Sequence, residues 1–211
     1  MTPARWGGWG AIAALFGRSK RLHWGATADE LDAVLPGDGL IPLPHLQSTR
    51  AISIQRPPED VWPWLVQLGQ GRAGFYSYDS LENRLGMNIH SADRIVPAWQ
   101  VVRVGDDVHL APEVALTVAV ADAPHALVLR GGVPIGSGPS PFDSTWAFVL
   151  QSRPEGGSRL VVREQYRSRF AWTRLMFEPV AVISFIMSQR MLRGIRQRAQ
   201  SPSTRAQPRT G

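Results

Sequence analysis

The stretch SRLVVREQYR places a carboxylate on a strand face that is otherwise apolar. Side chains of a β-strand alternate between its two faces, so Glu164 and Tyr166 point the same way as Leu160. A carboxylate that faces an apolar interior must be paired or protonated, and groups in such surroundings often serve in acid–base catalysis. Glu164 is therefore a candidate catalytic residue, with a structural ion pair to an inward arginine, such as Arg130 or Arg94, as the alternative.

A second group of polar residues lies on the predicted short helix YDSLENRLG. Asp79, Glu82 and Asn83 are spaced i, i+3 and i+4, so they share one face, which is either solvated or part of a site with Glu82 as a candidate catalytic residue. An aromatic segment precedes this helix, and aromatic walls with a few convergent polar groups are typical of small-molecule sites. His90, in the loop after the helix, is a candidate general base or else bonds a loop carbonyl. The candidate ligand-binding residues of this region are Phe75, Tyr76, Tyr78, Asp79, Asn83, Arg94 and Trp99.

The glycines Gly69, Gly71 and Gly74 have the G-x-G-x-x-G spacing of a dinucleotide-binding loop. That motif requires a strand before it and a helix after it, so that the pyrophosphate rests on the helix N-terminus. The preceding stretch PPEDVWPWLVQLG has apolar residues at i, i+3, i+4 and i+7, which favours a helix. Asp93, the acidic residue at the required distance, does not follow a strand-like run either. We therefore expect a loop after a helix, and no nucleotide or other cofactor.

The composition argues against several classes of protein. The 211 residues contain no cysteine and five scattered histidines, so we expect no disulfide framework, no thiol nucleophile and no metal site. The net charge of +6 suggests a nucleic-acid partner, but the distribution of the charge along the chain argues against one. The first and last 22 residues hold ten of the 23 basic residues and no acid, which leaves 13 basic and 17 acidic residues between them. A mildly acidic body does not favour a nucleic-acid groove, so we expect no nucleic-acid partner.

The two ends differ from the body in composition. The run WGGWGAIAALFG is followed by basic residues and is apolar over 12 residues, whereas a membrane span needs roughly 20. Packing on the body, disorder and peripheral contact with an anionic membrane all remain open for the ends. We expect a cytoplasmic protein, with membrane association through the ends as the open alternative. The predicted divisions are a basic and apolar N-terminal segment (1–22), a lead-in with a short helix (23–48), a main domain (49–198) and a disordered basic tail (199–211).

The order of predicted elements indicates an α+β fold. A capping box at Thr27 and Glu30 begins a short helix, and TRAISIQ reads as a first strand. Two short helices follow, although Pro63 argues against the first of them. A long apolar helix from Trp172 onwards ends the domain. Between these elements, an antiparallel meander is predicted from the runs WQVVRV, DVHLA, VALTVAVA, ALVLRG, TWAFVLQ and SRLVVREQYR.

The element order and several stretches resemble the SRPBCC superfamily, also called the START-like or helix-grip fold. PPEDVWPWLVQLGQGRAGFYSYDSLENRLG, HSADRIVPAWQ, VGDDV and STWAFVLQ look like bacterial members described as polyketide cyclase/dehydrase-like. The resemblance covers roughly residues 40–198 and favours a helix at Pro63. It implies a curved antiparallel sheet of about seven strands around the C-terminal helix. It also implies a cavity that in characterised relatives holds sterols, lipids, plant hormones or polyketides.

Two functions from different classes fit these expectations, because the superfamily shares a cavity but no universal catalytic residues. The first is non-catalytic binding of a hydrophobic small molecule, whether a lipid, a polyketide or an aromatic compound, and we predict this one. The second is a cyclase-, dehydrase- or isomerase-like enzyme that moves a proton with Glu164, Glu82 or His90. The remaining candidate ligand-binding residues are Arg130, Trp146, Phe148, Tyr166 and Phe185.

Overall fold

The computed structural model describes residues 17–84, 86, 88–133 and 140–201, without the side chains of residues 81, 82 and 174. The apolar run before residue 17 and the basic tail after residue 201 lie outside the described residues, so the predictions for both stay predictions. The described part of the chain forms one antiparallel sheet with a long helix packed across it. The predicted α+β fold class is confirmed.

The sheet is antiparallel throughout, and its strands are β1 (Leu46–Ile54), β2 (Asp107–Ala111), β3 (Val114–Asp122), β4 (Ala126–Gly131), β5 (Phe142–Ser152) and β6 (Ser158–Ser168). Their order in the sheet is β1-β6-β5-β4-β3-β2. The strands β2 to β6 thus form a meander, and β1 pairs with the last of them. This pairing joins the two ends of the domain and places β1 at an edge of the sheet.

The helices that the structure describes are α1 (residues 17–22), α2 (Ala28–Asp32), α3 (Pro58–Val66), α4 (Asp79–Arg84) and α5 (Phe177–Ala199). The predicted capping box is present, because Thr27 and Glu30 each accept a hydrogen bond from the backbone amide of the other. The helix α3 continues through Pro63, as the resemblance implies. Short 3-10 helices lie at Asp38–Leu40, Pro97–Trp99 and Ala171–Met176.

The described residues form six strands, and the prediction of about seven was wrong because the run WQVVRV is not a strand. Pro97–Trp99 form a 3-10 helix, and the chain then reaches β2 without pairing. Val101 and Val104 are 65% and 66% exposed, and Trp99 and Val102 are only partly buried against the core, so this run lacks the alternating buried face of a strand. The side chain of Gln100 instead donates to the side-chain oxygen of Gln67 at 3.2 Å, which ties the run to the end of α3.

The core lies between the inner face of the sheet and the helices α3 and α5. Its apolar residues follow a period of two on the strands and the spacing i, i+3 and i+4 on α3. Full burial of a large apolar side chain contributes roughly 1.5–3 kcal/mol, so this layer fixes α5 against the sheet. Buried members are Ile54, Trp64, Leu65, Phe148, Leu160 and Leu192.

The lead-in before β1 covers part of the outer face of the sheet. Arg163 of β6 lies on this face, as the strand phase predicts, yet it is only 2% exposed. Its guanidinium donates to the Ala33 carbonyl at 2.8 Å and to the Asp38 carboxylate at 2.6 Å. Arg159 binds the Glu30 carboxylate at 2.6 Å on the same face. Two ion pairs therefore hold the lead-in against the sheet.

The Glu30–Arg159 pair makes the stability depend on pH in the acid range. Burial alone would raise the pKa of Glu30, but hydrogen bonds from Arg159 and Thr27 and the charge of Arg159 lower it below its ordinary value of 4.5. A carboxyl group with a lowered native pKa stabilises the fold above its unfolded pKa, and this contribution is lost as the pH falls through the native pKa. We expect Glu30→Gln to reduce the free energy of unfolding at pH 7 by about 1 kcal/mol.

The difference between wild type and Glu30→Gln should disappear at an acid pH below the lowered native pKa of Glu30, where the wild-type carboxyl is protonated as well. Urea unfolding at the two pH values measures it. A difference that is unchanged at low pH would assign the effect to packing and contradict an electrostatic origin.

The glycine loop follows α3, as the sequence predicts. Gly69 and Gly74 pair through an isolated antiparallel bridge, which closes a tight turn directly after the helix. Gly69, Gly71 and Gly74 have φ values of 134°, 72° and 66°, a conformation that L side chains rarely adopt. Because a helix precedes the motif, its context differs from the strand–turn–helix arrangement of a dinucleotide site.

The helix α1 packs on the body of the protein. Leu22 is buried together with Leu46 and Phe177. The guanidinium groups of Arg18 and Arg21 both contact the carboxylate of Glu178 at the start of α5. The described part of the N-terminal segment is therefore held against the sheet and α5. No helix among the described residues combines the length and the apolar character needed to cross a membrane.

Candidate functional site

A cavity of about 370 Å³ lies between the inner face of the sheet and α5. Its wall consists mainly of apolar side chains, with a few hydroxyl groups and the carboxylate of Glu164. Val133 and Ile183 line the cavity and are also 38% and 58% exposed, so they lie at its mouth. Small-molecule sites in proteins typically occupy about 300–1,000 Å³, which makes this cavity the candidate functional site.

One face of α5 forms a wall of the cavity. The lining residues recur every three or four positions, which places them on a single stripe of the helix. Methionine side chains adapt to irregular shapes, so this wall can follow the outline of a bound molecule. The stripe consists of Val180, Ile183, Ser184, Met187, Ser188 and Met191.

Aromatic side chains from the sheet and the glycine loop form the facing wall. Trp146 of β5 lies between Phe75 of the loop and Phe148, with ring centroids 6.0 Å and 4.8 Å apart. Phe142 and Tyr166 meet edge to face at 5.8 Å. Rings that contact one another in this way are held rigidly and present flat apolar surface to a ligand.

Glu164 reaches the cavity wall as one half of a buried ion pair. Arg50 Nη1 donates to Glu164 Oε1 at 2.9 Å, and the two side chains are 1% and 6% exposed. The same oxygen accepts a hydrogen bond from Ser188 at 2.9 Å. Oε2 accepts from Tyr166 at 3.1 Å and from the Ser184 hydroxyl. The four donors occupy all of the roughly four lone-pair sites of the carboxylate.

The tyrosine beside this pair keeps its proton. Burial raises the pKa of Tyr166 well above its ordinary value of 10.0. The charge of Glu164 and the hydrogen bond to it raise that pKa further, against a smaller opposite effect of Arg50. Tyr166 is therefore a hydrogen-bond donor to Glu164 across the physiological pH range.

Arg50 connects four elements around the cavity. Its bond to Glu164 joins β1 to β6. Its Nε donates to the Arg21 carbonyl of α1 at 2.9 Å. Its Nη1 also donates to Ser184 of α5 at 2.9 Å, and its guanidinium lies 5.9 Å from the ring centroid of Phe185. The ion pair is thus part of the packing between the sheet, α1 and α5.

The structure brings four of the predicted site residues to the cavity wall, namely Phe75, Trp146, Glu164 and Tyr166. The arginine that pairs with Glu164 is Arg50, and neither of the two named from the sequence.

Arg130 lies at the surface and pairs with Asp143 at 2.9 Å, and Arg94 is exposed. Strand periodicity does not reveal that β1 pairs with β6, and this long-range pairing places Arg50 opposite Val162, two residues from Glu164 on the same face of β6.

The polar face predicted on α4 holds the following loop in place. Asp79 accepts hydrogen bonds from the Ser91 amide and hydroxyl, both at 2.6 Å. The Asn83 side chain donates to the Ile89 carbonyl at 2.8 Å and accepts from its amide. The side chain of Glu82 lies outside the described residues, so its catalytic role stays a prediction. Asn83 thereby positions Ile89, which lines the cavity.

The other predicted site residues lie away from the cavity wall. Tyr76 and Phe148 are buried in the core, where the Tyr76 hydroxyl donates to the Trp64 carbonyl at 3.2 Å. Phe185 lies beside Arg50, as described above. Those at least partly exposed at the surface are Tyr78, His90, Arg94, Trp99 and Arg130.

Sequence reasoning missed the polar residues that surround Glu164. Ser184 and Ser188 are spaced i, i+4 in the otherwise apolar stretch VAVISFIMS, and two hydroxyls on one face of an apolar helix were an available signal. Arg50 shares its strand face with Ile52 and Ile54, which marks it as an inward arginine by the rule already applied to β6.

The cavity can enclose an apolar molecule and offers it few hydrogen-bonding partners. Its hydroxyls and its carboxylate already make hydrogen bonds within the protein, either in the Glu164 cluster or to neighbouring backbone carbonyls and Gln165. Within residues 17–84, 86, 88–133 and 140–201, no group of three or more histidine or acidic side chains could hold a metal ion. The described residues of the wall offer a ligand mainly apolar contact. Glu164 and Tyr166 are the ionisable groups among them.

The strand order, the two short helices after β1 and the helix α5 across the sheet define a helix-grip fold. No family model and no curated protein matches the chain. Solved structures similar to it include a protein from Nitrosospira multiformis, with 13% identity and a TM-score of 0.48 over 75% of this chain and 99% of that one.

Two further solved structures are similar over comparable lengths. MLL2253 from Mesorhizobium loti has 14% identity and a TM-score of 0.44, over 77% of this chain and 100% of that one. The Polyketide_cyc-like protein Cgl2372 from Corynebacterium glutamicum has 15% identity and a TM-score of 0.41, over 74% of this chain and 92% of that one. These values are low, so the fold assignment rests on the elements of this chain.

Proposed function

We propose that this protein binds a hydrophobic small molecule, such as a lipid, a polyketide or an aromatic compound, in the cavity between the sheet and α5. The composition of the cavity wall is the observation that supports this proposal. Apolar and aromatic side chains enclose about 370 Å³, and the carboxylate of Glu164 is neutralised by Arg50. Such a wall gains roughly 25 cal/mol for each Å² of apolar ligand surface that it removes from water.

The state of Glu164 favours binding without catalysis. A general base needs a free lone pair within about 2.6–3.2 Å of the proton that it removes. Both oxygens of Glu164 already accept two hydrogen bonds each, and Tyr166 retains its proton. An enzyme of the cyclase, dehydrase or isomerase type is the second candidate, because Glu164 and Tyr166 both reach the cavity wall.

Mass spectrometry of the natively purified protein tests the proposal directly. We expect an apolar or amphiphilic small molecule that is released when the protein unfolds. After its removal, a hydrophobic fluorescent probe should bind saturably with one site for each chain. A protein that carries no such molecule and gives no saturable probe binding would contradict the proposal.

Glu164→Gln distinguishes binding from catalysis in protein that stays folded, because it removes the charge and nearly preserves the shape. It also leaves Arg50 without its counter-charge and lowers the free energy of unfolding. We expect the affinity for the fluorescent probe to stay within a few-fold of wild type, since apolar burial supplies most of the binding. If the protein is an enzyme and a screen of polyketide-like precursors finds turnover, Glu164→Gln should reduce the rate by about 10²–10⁴-fold. Fluorescence titration and product analysis measure the two quantities.

Glu155→Gln is the matched control, because Glu155 lies in the exposed turn between β5 and β6 and does not line the cavity. It should change neither probe affinity nor turnover. An affinity that collapses in Glu164→Gln while circular dichroism shows an intact fold would mean that the carboxylate anchors a polar ligand group. That result would count against a ligand held by apolar contact.

A further inference from the structure

An exposed apolar surface lies beside the mouth of the cavity. Most of the exposed large apolar side chains between residues 170 and 186 belong to the 3-10 turn before α5 or to one side of α5 itself. We call this set the mouth surface. Its members, which are between 37% and 83% exposed, are Phe170, Trp172, Leu175, Val182, Ile183 and Ile186.

The members of the mouth surface are close to one another and to the cavity. The rings of Phe170 and Trp172 stack with centroids 6.3 Å apart. Leu175 directly precedes Met176, which lines the cavity, and Ile183 lines it as well. Ile186 follows Val182 by one helical turn on the same side of α5. Several exposed apolar side chains beside a cavity mouth are typical of an interaction site.

Basic residues flank the mouth surface. Arg169, directly before Phe170, and Arg190, one turn after Ile186, are both exposed. The stretch from residue 169 to 200 contains six arginines and one acid, Glu178, which is already engaged by arginines of α1. Tryptophan and aliphatic side chains with flanking arginines are the combination that binds the interface of an anionic bilayer.

We propose that the mouth surface docks on the interface of an anionic lipid bilayer, so that the cavity opens towards the lipid. This inference deepens the proposed function and rests on it, because it names the ligand class as a bilayer-soluble amphiphile. The polar groups around Glu164 are engaged with one another, which leaves the mouth as the place for the polar head of such a ligand. A second copy fits the mouth surface less well, because a two-fold contact brings the basic flanks of both chains together.

Co-sedimentation with vesicles of phosphatidylcholine and phosphatidylglycerol tests the proposal on the full chain. The double substitution Leu175→Ser/Ile186→Ser removes apolar area without a change of charge, and neither residue lines the cavity. We expect vesicle partitioning to weaken by roughly tenfold or more, and to weaken in wild type as salt rises. The matched control Val34→Ser/Val101→Ser alters exposed apolar residues that neither line the cavity nor belong to the mouth surface, and it should partition like wild type.

The outcomes separate the docking proposal from the proposed function. Binding of a soluble fluorescent probe without vesicles should be equal in wild type and Leu175→Ser/Ile186→Ser. Absent probe binding in wild type would refute the proposed function, whatever the vesicles show. Vesicle partitioning that is equal in wild type and Leu175→Ser/Ile186→Ser, with probe binding intact, would overturn the docking proposal alone.

Two further results would point to a different membrane anchor or to a different partner for the mouth surface. Partitioning that survives Leu175→Ser/Ile186→Ser and is lost when residues 2–16 are removed would overturn the proposal in favour of the N-terminal run. A wild-type dimer that dissociates on the double substitution, without vesicle binding, would overturn it in favour of a second copy. Analytical ultracentrifugation of both proteins measures the oligomeric state.

Discussion

Arg50→Met is expected to lower the free energy of unfolding by about 3–5 kcal/mol, because it leaves a buried charge without its partner. Methionine keeps an unbranched side chain in the position of the arginine stem. The carboxylate of Glu164, 6% exposed in the wild-type structure, then loses its counter-charge and retains only neutral donors. Urea unfolding followed by circular dichroism at neutral pH measures the effect.

Two controls identify the unpaired charge as the cause. Arg50→Met/Glu164→Leu removes both charges and should recover most of the lost stability. Arg130→Met breaks a partly exposed ion pair with Asp143 and should cost less than about 1 kcal/mol. If Arg50→Met lowers the free energy of unfolding no more than Arg130→Met does, the buried ion pair is not important for stability and the prediction is wrong.

Filling the cavity from α5 should abolish binding of a hydrophobic fluorescent probe. Val180 and Met187 both line the cavity, about two turns apart on the same side of α5. Val180→Trp/Met187→Trp takes up much of the available space, and excluding ~100 Å² of ligand surface removes about 2.5 kcal/mol of binding free energy. We therefore expect the affinity in a fluorescence titration to fall by roughly 70-fold.

The matched control places the same bulk on the outer side of the same helix. Val182 and Ile186 are exposed and do not line the cavity, so Val182→Trp/Ile186→Trp should bind the soluble probe like wild type. Circular dichroism tests whether both variants fold. Unchanged affinity in the folded cavity variant would place the probe outside the cavity and would refute the site.

Local patterns in the sequence were sufficient for the elements whose geometry depends on near neighbours. The capping box of Thr27 and Glu30 involves residues three positions apart, and the helix before the glycine loop follows from i, i+3 and i+4 spacing. The alternation along β6 placed Glu164 and Tyr166 on the inner face, where the structure has them. These features could be predicted because each requires only a segment of a few residues and the rule that one face is buried.

The same kind of pattern failed where an element needs a distant partner. The run WQVVRV has strand-like composition, yet no neighbouring strand pairs with it among the described residues, and Val101 and Val104 remain exposed. β propensity describes a side chain that fits a half-buried pleated surface, so it has little force where the fold supplies no such surface. The strand count was therefore decided by tertiary structure.

The sequence by itself determined the helix-grip order of elements, the inward carboxylate of Glu164 and the apolar character of α5. Only the tertiary structure decided that Arg50 neutralises this carboxylate and that Ser184 and Ser188 complete its hydrogen bonds. These contacts join β1, β6 and α5. More than a hundred residues separate β1 from β6, and a 3-10 helix lies between β6 and α5. The physical reason is that pairing β1 with β6 and laying α5 across the sheet creates the neighbours of a buried charge, and no local spacing encodes them.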